Sequence, residues 1–194
     1  MTRGEGAVEA SKEAAKPLES SHMSTHAGRK GVVLMACAAI STVVLDQASK
    51  AWIRNVLQPG EERPLWAGVV HLSHVWNRGA AWGMLSGRRW LLIAITLGVL
   101  VFAGRMMRPL AARGPVPACG LGFIIGGALG NLIDRARSGY VTDMIDMDTS
   151  WPWLRSFPVF NIADAALTLG VGLLFFHLFF DKHDGPASDS AAIS

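Results

Sequence analysis

Four aspartates in the second half of the chain could carry out acid–base chemistry. Asp143, Asp146 and Asp148 lie close together in one polar segment, and Asp164 stands near the start of a long apolar stretch. Two carboxyl groups held close together do not both ionise easily, so they share a proton, and one can act as a base while the other acts as an acid. This is the chemistry of an aspartic protease. A single loop aspartate is more often a solvated charge, so the pattern alone leaves the pairing open.

Further polar residues interrupt or end the apolar stretches. They are Asp46, Lys50, Asn131, Asp134, Arg135, Asn161 and Asp164. Asp46 and Lys50 are four residues apart, and Asn161 and Asp164 are three apart, so on helices the members of each pair face the same side. Ionisable groups at membrane depth are costly and usually mark a functional site, although Asp46 and Lys50 could equally form a structural ion pair.

Other catalytic groupings fit the sequence less well. His71 and His74 are three residues apart, but no third ligand follows nearby, so we expect no metal site and no cofactor. Ser49 and Lys50 are adjacent, and adjacent residues on a helix point in different directions. A serine–histidine pair would need a histidine near the polar residues, whereas His177 lies at the far end of the last apolar stretch. Paired carboxylates are the arrangement that remains.

The composition is that of a membrane protein. The 194 residues are 51% hydrophobic and only 17% charged, whereas soluble domains carry about 25% charged residues. The formal net charge is only +3, and no basic stripe is interleaved with aromatic residues, so we expect no nucleic-acid partner. Cys37 and Cys119 lie in apolar stretches without metal-ligand spacing, so we expect two small buried hydrophobic side chains rather than a disulfide or a metal site.

Four apolar stretches are long enough to cross a bilayer, which takes about 20 residues per helix. They cover residues 31–53, 90–107, 117–133 and 161–180. They must be helices, because lipid cannot satisfy the backbone of an open strand. Gly122, Gly126 and Gly130 recur at every fourth position and predict close packing of the third helix against a neighbour. Because the first and third helices end where the fourth begins, the polar residues should meet at one membrane level.

Four crossings place both chain termini on the same side of the membrane. Arg105, Arg108 and Arg113 lie between the second and third helices without an acidic neighbour, which favours the cytoplasmic side for this connection and for both termini. Arg88 and Arg89, just before the second helix, argue the other way. We therefore expect the polar residues near the extracytoplasmic face.

The remaining segments are polar or mixed. We expect residues 1–30 to form a disordered extension, because they lack an apolar run. Residues 31–180 should form the membrane domain, and residues 181–194 a polar tail. Between the helices, segment 54–89 indicates short strands with Gly and Pro breakers. Segment 134–160 is rich in Trp and Pro and indicates a loop at the membrane interface.

Five ordered motifs carry a family resemblance. They are DQASK at 46–50, NRGAAWG at 77–83, GGALGNLIDR at 126–135, VTD at 141–143 and FNIAD at 160–164. Over roughly residues 30–180 the sequence resembles the lipoprotein signal peptidases, the type II signal peptidases of bacteria. The resemblance implies an all-α membrane protein with four transmembrane helices and a small extracytoplasmic β-sheet, which segment 54–89 would supply.

The resemblance also implies an activity. Members of this family are intramembrane aspartic endopeptidases of the bacterial inner membrane that remove the signal peptide of a prolipoprotein, cleaving just before a cysteine that carries diacylglyceryl. The implied partners are the lipid-modified prolipoprotein and membrane lipid, and we expect a monomer that uses no metal.

The motif positions then imply residue roles. Asp143 and Asp164 would be the catalytic pair, with Asp146 as an open alternative to Asp143. Asp134 would orient Arg135 rather than take part in the chemistry. The residues implied to shape the site or hold the substrate are Asp46, Lys50, Asn77, Gly79, Asn131, Asp134, Arg135 and Asn161.

Two other classes of function stay open at this point. A small transporter or channel would use the buried charges to line an ion path, and it would then carry such charges at several membrane depths. A purely structural membrane protein would tolerate Asp143→Asn and Asp164→Asn without any effect on proteolysis. The collection of charges at one end of the predicted helices favours the peptidase.

Overall fold

A computed structural model describes the backbone of residues 5–80 and 83–180 and the side chains from residue 28 onward. The elements in chain order are α1 (Glu5–Val56), β1 (Glu62–Trp66), β2 (Val70–Asn77), α2 (Arg89–Ala112), α3 (Pro115–Ser138), β3 (Val141–Asp146), α4 (Pro152–Arg155) and α5 (Ile162–Phe180). The predicted polar tail at 181–194 lies outside the described residues.

Four of the helices are long and apolar enough to cross a membrane, which confirms the predicted four-helix membrane fold. The spanning segments are Gly28–Val56, Arg89–Ala112, Pro115–Ser138 and Ile162–Phe180. α3 extends past the predicted end at residue 133, because its last turns are polar but still helical. It ends at Gly139, whose φ of 83° is the left-handed conformation that closes many helices.

The first helix begins earlier than the sequence predicts. Residues 1–30 were expected to be disordered, yet helical backbone begins at Glu5. Apolar content governs burial, whereas helix formation also depends on intrinsic propensity, which is high for Ala, Glu and Lys. The predicted boundary at residue 31 therefore falls within a helix, and the domain limits 31–180 stay a prediction.

α3 is the central helix and packs against α1, α2 and α5. Gly122 and Gly126 lie so close to α1 that an added Cβ atom would stand 2.5 Å from the Met35 carbonyl oxygen and 2.7 Å from that of Ala39. A Cβ atom at Gly130 would stand 2.5 Å from the Asp46 carboxylate. The predicted glycine face thus lets the two backbones approach and brings the polar end of α3 next to α1.

The sheet is antiparallel in the order β1-β2-β3. Its first two strands come from segment 54–89, as the sequence predicts, but β3 comes from segment 134–160, which the sequence indicated to be a loop. β3 forms because it pairs with β2, with Asn77 opposite Val141 and Val75 opposite Asp143. Strand formation depends on such cross-strand partners more than on local composition, so the single-segment prediction of the sheet is wrong for its third strand.

The sheet packs against the C-terminal end of α1 through a small apolar cluster. Ile53 of α1, Leu57 just after α1 and Met144 of β3 are all buried in this cluster, and Leu72 and Ile145 pack against it. The contact fixes β3 above the polar end of the helices. It thereby sets the position of Asp143, which precedes Met144 in the strand.

The prediction that both cysteines are buried is wrong for Cys37. The Cys37 side chain is exposed and that of Cys119 is partly buried, and both are free thiols. Many large apolar side chains on the spanning helices are exposed as well, among them Ile40 and Phe102. In a membrane, lipid is as apolar as the protein interior, so no hydrophobic force drives these side chains inward.

Candidate active site

Asp143 is held by two amides from different parts of the chain. Its carboxyl group lies on β3 and is 2% exposed. Asn77, at the end of β2, donates from Nδ2 to Asp143 Oδ2 at 2.9 Å. Asn161, just before α5, donates from Nδ2 to Asp143 Oδ1 at 2.6 Å. Both carboxyl oxygens therefore accept a hydrogen bond, which fixes the orientation of the group.

Asp164 is positioned by the local sequence at the start of α5. Asn161 accepts the backbone N–H of Asp164 on its Oδ1 at 3.0 Å, and Asp164 Oδ2 accepts the backbone N–H of Asn161 at 3.3 Å. This reciprocal pair is a capping box, which satisfies free N–H groups at a helix start. Asn131 of α3 donates to Asp164 Oδ1 at 2.8 Å. The first turn of a helix also favours a negative charge.

One residue joins the two carboxyl groups. Asn161 contacts Asp143 through its side chain and Asp164 through its backbone and side chain. The same Nδ2 lies 3.3 Å from Asn131 Oδ1, so the two asparagines also contact each other. The structure thus brings together Asp143, Asp164, Asn131 and Asn161, which the sequence places in three separate motifs.

Burial strongly changes the acidity of Asp143. Removal from water raises its pKa from the ordinary value of 3.8 to about 7, and the neighbouring charge of Asp164 adds to this increase. The hydrogen bonds from Asn77 and Asn161 oppose the increase, because they stabilise the ionised form. Near neutral pH, Asp143 is therefore poised between its protonated and ionised forms, as a general acid requires.

Lys50 is fully buried and is linked to Asp164 through Asn131. Its Nζ lies 2.8 Å from Asp46 Oδ2 and 3.3 Å from Asp134 Oδ2. It also donates to Asn131 Oδ1 at 3.0 Å. This last bond turns the oxygen of the Asn131 amide towards the lysine and leaves the nitrogen to donate to Asp164. The Asp46–Lys50 ion pair is therefore both structural and linked to the site.

Asp134 and Arg135 make their hydrogen bonds with different elements, and the orienting role expected for Asp134 stays a prediction. Asp134 faces α1 and β3, where it accepts from Arg54 Nη2 at 2.9 Å and from the Thr142 backbone N–H at 3.1 Å. Arg135 donates from Nη2 to the Gly79 carbonyl oxygen at 3.0 Å. Adjacent residues on a helix point in different directions, so the neighbours in sequence serve different elements.

Arg54 is a site residue that the sequence did not single out. Besides its contact with Asp134, its Nε donates to Thr142 Oγ1 at 3.0 Å. It thus ties the end of α1 to the residue before Asp143. Its spacing in the sequence could have identified it, because Arg54 follows Lys50 by four residues and so lies on the same helix face.

Gly79 begins a tight segment beside the site. Its backbone N–H donates to Asn77 Oδ1 at 2.9 Å, which leaves the Asn77 nitrogen to hold Asp143. A Cβ atom at Gly79 would stand 2.6 Å from the Met84 carbonyl oxygen. Together with the bond from Arg135, this close approach explains why the position takes glycine.

A cavity of about 430 Å³ lies next to the carboxyl pair. The residues that line it are Asn77, Ala80, Asn131, Arg135, Val141, Asp143, Phe157, Pro158, Val159, Phe160, Asp164, Leu167 and Thr168. It therefore joins a polar wall that contains both carboxyl groups to an apolar wall. Asp146 and Asp148 do not line this cavity. The Oδ2 atom of Asp148 lies 3.3 Å from Nε2 of His71. The arrangement suits acid–base attack of water on a substrate with apolar groups.

The histidines of the sheet make other contacts. The Nδ1 atom of His74 is 2.8 Å from the Leu57 carbonyl oxygen, and Trp76 donates from Nε1 to its Nε2 at 3.3 Å. Across the part of the chain that the structure describes, no three His, Cys, Asp or Glu side chains are grouped so that they could hold a metal ion.

Comparison with known proteins relates the chain to one family. A family model described as "Signal peptidase (SPase) II" matches residues 38–180. A lipoprotein signal peptidase of Brevibacillus brevis is 43% identical over 139 residues, which cover 72% of this chain and 90% of that protein. A lipoprotein signal peptidase of Caulobacter vibrioides is 44% identical over 163 residues, which cover 80% of this chain and 92% of that protein.

Solved structures agree with this relation. One, described as "Bacterial membrane enzyme structure by the in meso method at 2.3 A resolution", is similar with a TM-score of 0.71 and 30% identity, over 78% of this chain and 92% of that chain. A second, described in the same words at 1.9 Å resolution, has a TM-score of 0.68 and 32% identity over 76% of this chain.

Proposed function

The chain belongs to the signal peptidase II family, and from this premise we propose that it removes the signal peptide from diacylglyceryl-modified prolipoproteins by cleaving just before the lipidated cysteine. The observation that carries the proposal is the pair of carboxyl groups, buried Asp143 and half-buried Asp164, that Asn161 joins at the wall of a cavity. The apolar part of that wall suits a substrate with acyl chains and an apolar signal helix. We propose a monomer as the active unit, because Asp143, Asp164 and the amides that hold them lie within one copy of the chain.

The proposed mechanism uses the two carboxyl groups in different roles. Asp164, ionised at the start of α5, takes a proton from a water molecule, whose oxygen attacks the scissile carbonyl carbon. Asp143, protonated because burial raises its pKa to about 7, donates a hydrogen bond to the developing oxyanion. It then gives its proton to the leaving amine as the C–N bond breaks. Proton exchange between Asp164 and Asp143 restores the starting state.

The surrounding residues position this pair. Asn77, Asn131 and Asn161 present their amide nitrogens to the carboxyl oxygens. Lys50, in its ion pair with Asp46, sets the orientation of Asn131. The remaining site-shaping residues, Gly79, Asp134 and Arg135, hold the segment after β2 and the start of β3 against the helices.

The distribution of charge supports a proposed position of the site in the bilayer. We place the carboxyl pair near the extracytoplasmic face of the inner membrane and the termini in the cytoplasm, because Arg105, Arg108 and Arg113 lie at the opposite end of the bundle. By its position in the sequence, just before α2, Arg89 favours the opposite orientation. In the structure it donates to the Ala136 carbonyl oxygen at 2.8 Å, so it serves to cap the end of α3.

Cleavage of a diacylglyceryl-modified prolipoprotein by the purified protein in detergent tests the proposal. Asp143→Asn and Asp164→Asn should each lower the cleavage rate by about 10²–10⁴-fold, because each removes one proton transfer. Asp146→Asn is the matched control on the same strand and should cleave at the wild-type rate. If Asp143→Asn cleaves normally and Asp146→Asn does not, the assignment of Asp143 is wrong. If folded wild-type protein leaves the substrate intact, the proposed function is wrong.

A further inference from the structure

A second cavity lies at the end of the bundle opposite to the carboxyl pair. There Gly31 of α1 lies directly against the Ala111 carbonyl of α2, so closely that any side chain at Gly31 would clash. Beside this contact a cavity of about 590 Å³ opens between the two helices, lined by Gly28, Arg29, Val32, Val33, Arg108 and Ala111. We call these six residues the basic groove. Arg29 precedes Asp46 by 17 positions, or about 25 Å along a helix.

The charge around the basic groove has one sign. The basic side chains at this end are Arg29, Lys30, Arg105, Arg108 and Arg113, and all are exposed. None of them takes part in a salt bridge with another described residue. Every acidic side chain that the structure describes lies between Asp46 and Asp164 on the loops, strands or helix ends of the other side. The groove therefore presents a positive field that no described carboxylate balances.

Apolar surface continues from the basic groove along both helices. Val33 is 60% exposed and Leu34 is 40% exposed, and both line an adjoining cavity of about 470 Å³ that also includes Arg29. On α2, Val101 is 55% exposed and precedes Arg108 by seven residues, two turns along the same face. A ligand with an anionic head and an alkyl chain would match this sequence of surfaces.

We propose that the basic groove binds an anionic phospholipid. The phosphodiester group would lie between the guanidinium groups of Arg29 and Arg108, whose forked donors match phosphate oxygens, and an acyl chain would lie along Val33 and Val101. Basic pockets between transmembrane helices bind anionic headgroups in this way. A zwitterionic lipid is disfavoured, because its ammonium group would meet two guanidinium groups. The proposal does not depend on the proposed catalytic activity.

Lipid retention by the purified full-length chain tests this site. The delipidated protein is equilibrated in detergent with phosphatidylglycerol or phosphatidylcholine of identical acyl chains, and bound lipid is counted by native mass spectrometry. The wild type should retain about tenfold more phosphatidylglycerol than phosphatidylcholine. The double variant Arg29→Gln/Arg108→Gln should bring the two lipids within about twofold of each other. Thermal unfolding of each variant checks that it is folded.

A matched double variant separates a site from a general positive field. Arg105→Gln/Arg113→Gln removes the same charge at the same end but leaves the lining of the basic groove intact. It should keep the wild-type preference for phosphatidylglycerol. Equal loss in both double variants would overturn the proposal, as would equal retention of the two lipids by the wild type. Displacement of phosphatidylglycerol by inorganic phosphate would show that the groove recognises phosphate alone and would overturn the assignment to a lipid.

Discussion

The two ends of the helix bundle hold their charges in opposite ways. At the end with the carboxyl pair, Lys50 and Asp143 are buried, and each contacts an asparagine from another element. At the other end, Arg29 and Arg108 are exposed, and no described carboxylate pairs with them. The fold thus fixes the charges at one end and leaves them free to meet lipid and water at the other.

The difference has an energetic consequence. Removing one partner of a buried ion pair leaves the other charge without compensation, which costs about 3–5 kcal/mol. Removing an exposed charge changes stability by no more than about 0.5 kcal/mol. Substitutions at the two ends should therefore differ by about 2.5–4.5 kcal/mol in the free energy of unfolding, which is large enough to measure.

The largest effect is expected for Lys50→Met. It leaves Asp46 and Asp134 buried without the lysine and frees the Asn131 amide that holds Asp164. We expect a loss of about 3–5 kcal/mol in the free energy of unfolding and a loss of cleavage of about 10²-fold or more. Chemical unfolding in detergent and the cleavage assay measure the two losses separately.

A second substitution distinguishes stability from positioning. In Lys50→Met/Asp46→Asn the unpaired charge on Asp46 is removed as well, so part of the lost stability should return. Activity should stay low, because nothing then orients Asn131 towards Asp164. Recovery of both properties together would show that the lysine acts on stability alone.

The pH dependence of cleavage gives the next effect. Because Asp143 must be protonated and burial raises its pKa to about 7, the rate should fall about tenfold per pH unit above pH 7. The apparent pKa of this descending limb of the pH–rate profile belongs to the coupled pair of carboxyl groups. The stability that Asp143 contributes also falls as the pH rises. It is fully present below pH 3.8, the ordinary pKa, and is lost as the pH rises through about 7. A cleavage rate that stays constant to pH 9 would contradict the assignment.

A smaller shift is expected for Asn77→Ala. Asn77 donates to Asp143 at 2.9 Å and lowers its pKa by stabilising the carboxylate. Loss of this bond should raise the pKa of Asp143 further and move the descending limb to higher pH, by less than about one unit. The pH–rate profiles of variant and wild type give the shift. Movement of the limb to lower pH would mean that Asn77 does not act on Asp143.

The sequence could predict one feature of the site well and another poorly. Chain direction predicts that the polar ends of the first and third helices meet the start of the fourth, and the structure has this arrangement, since Asn131 contacts both Lys50 and Asp164. The choice of Asp143 as the partner of Asp164 came from the family resemblance and stays a prediction. The partners of Asp134 could not be predicted, because they depend on the register of β3 and on which way each residue of α3 turns. Cys37 was mispredicted for a related reason, since apolar type does not specify burial in lipid.

The smallest effect is expected for Lys30→Met at the exposed end. Lys30 makes no salt bridge with a described residue and lies next to the basic groove rather than in its lining. The same side-chain change that is expected to cost about 3–5 kcal/mol at Lys50 should here alter the free energy of unfolding by no more than about 0.5 kcal/mol and leave cleavage unchanged. Unfolding curves of both variants, recorded in one detergent, make the comparison. A loss at Lys30 as large as that at Lys50 would mean that burial does not separate the two ends.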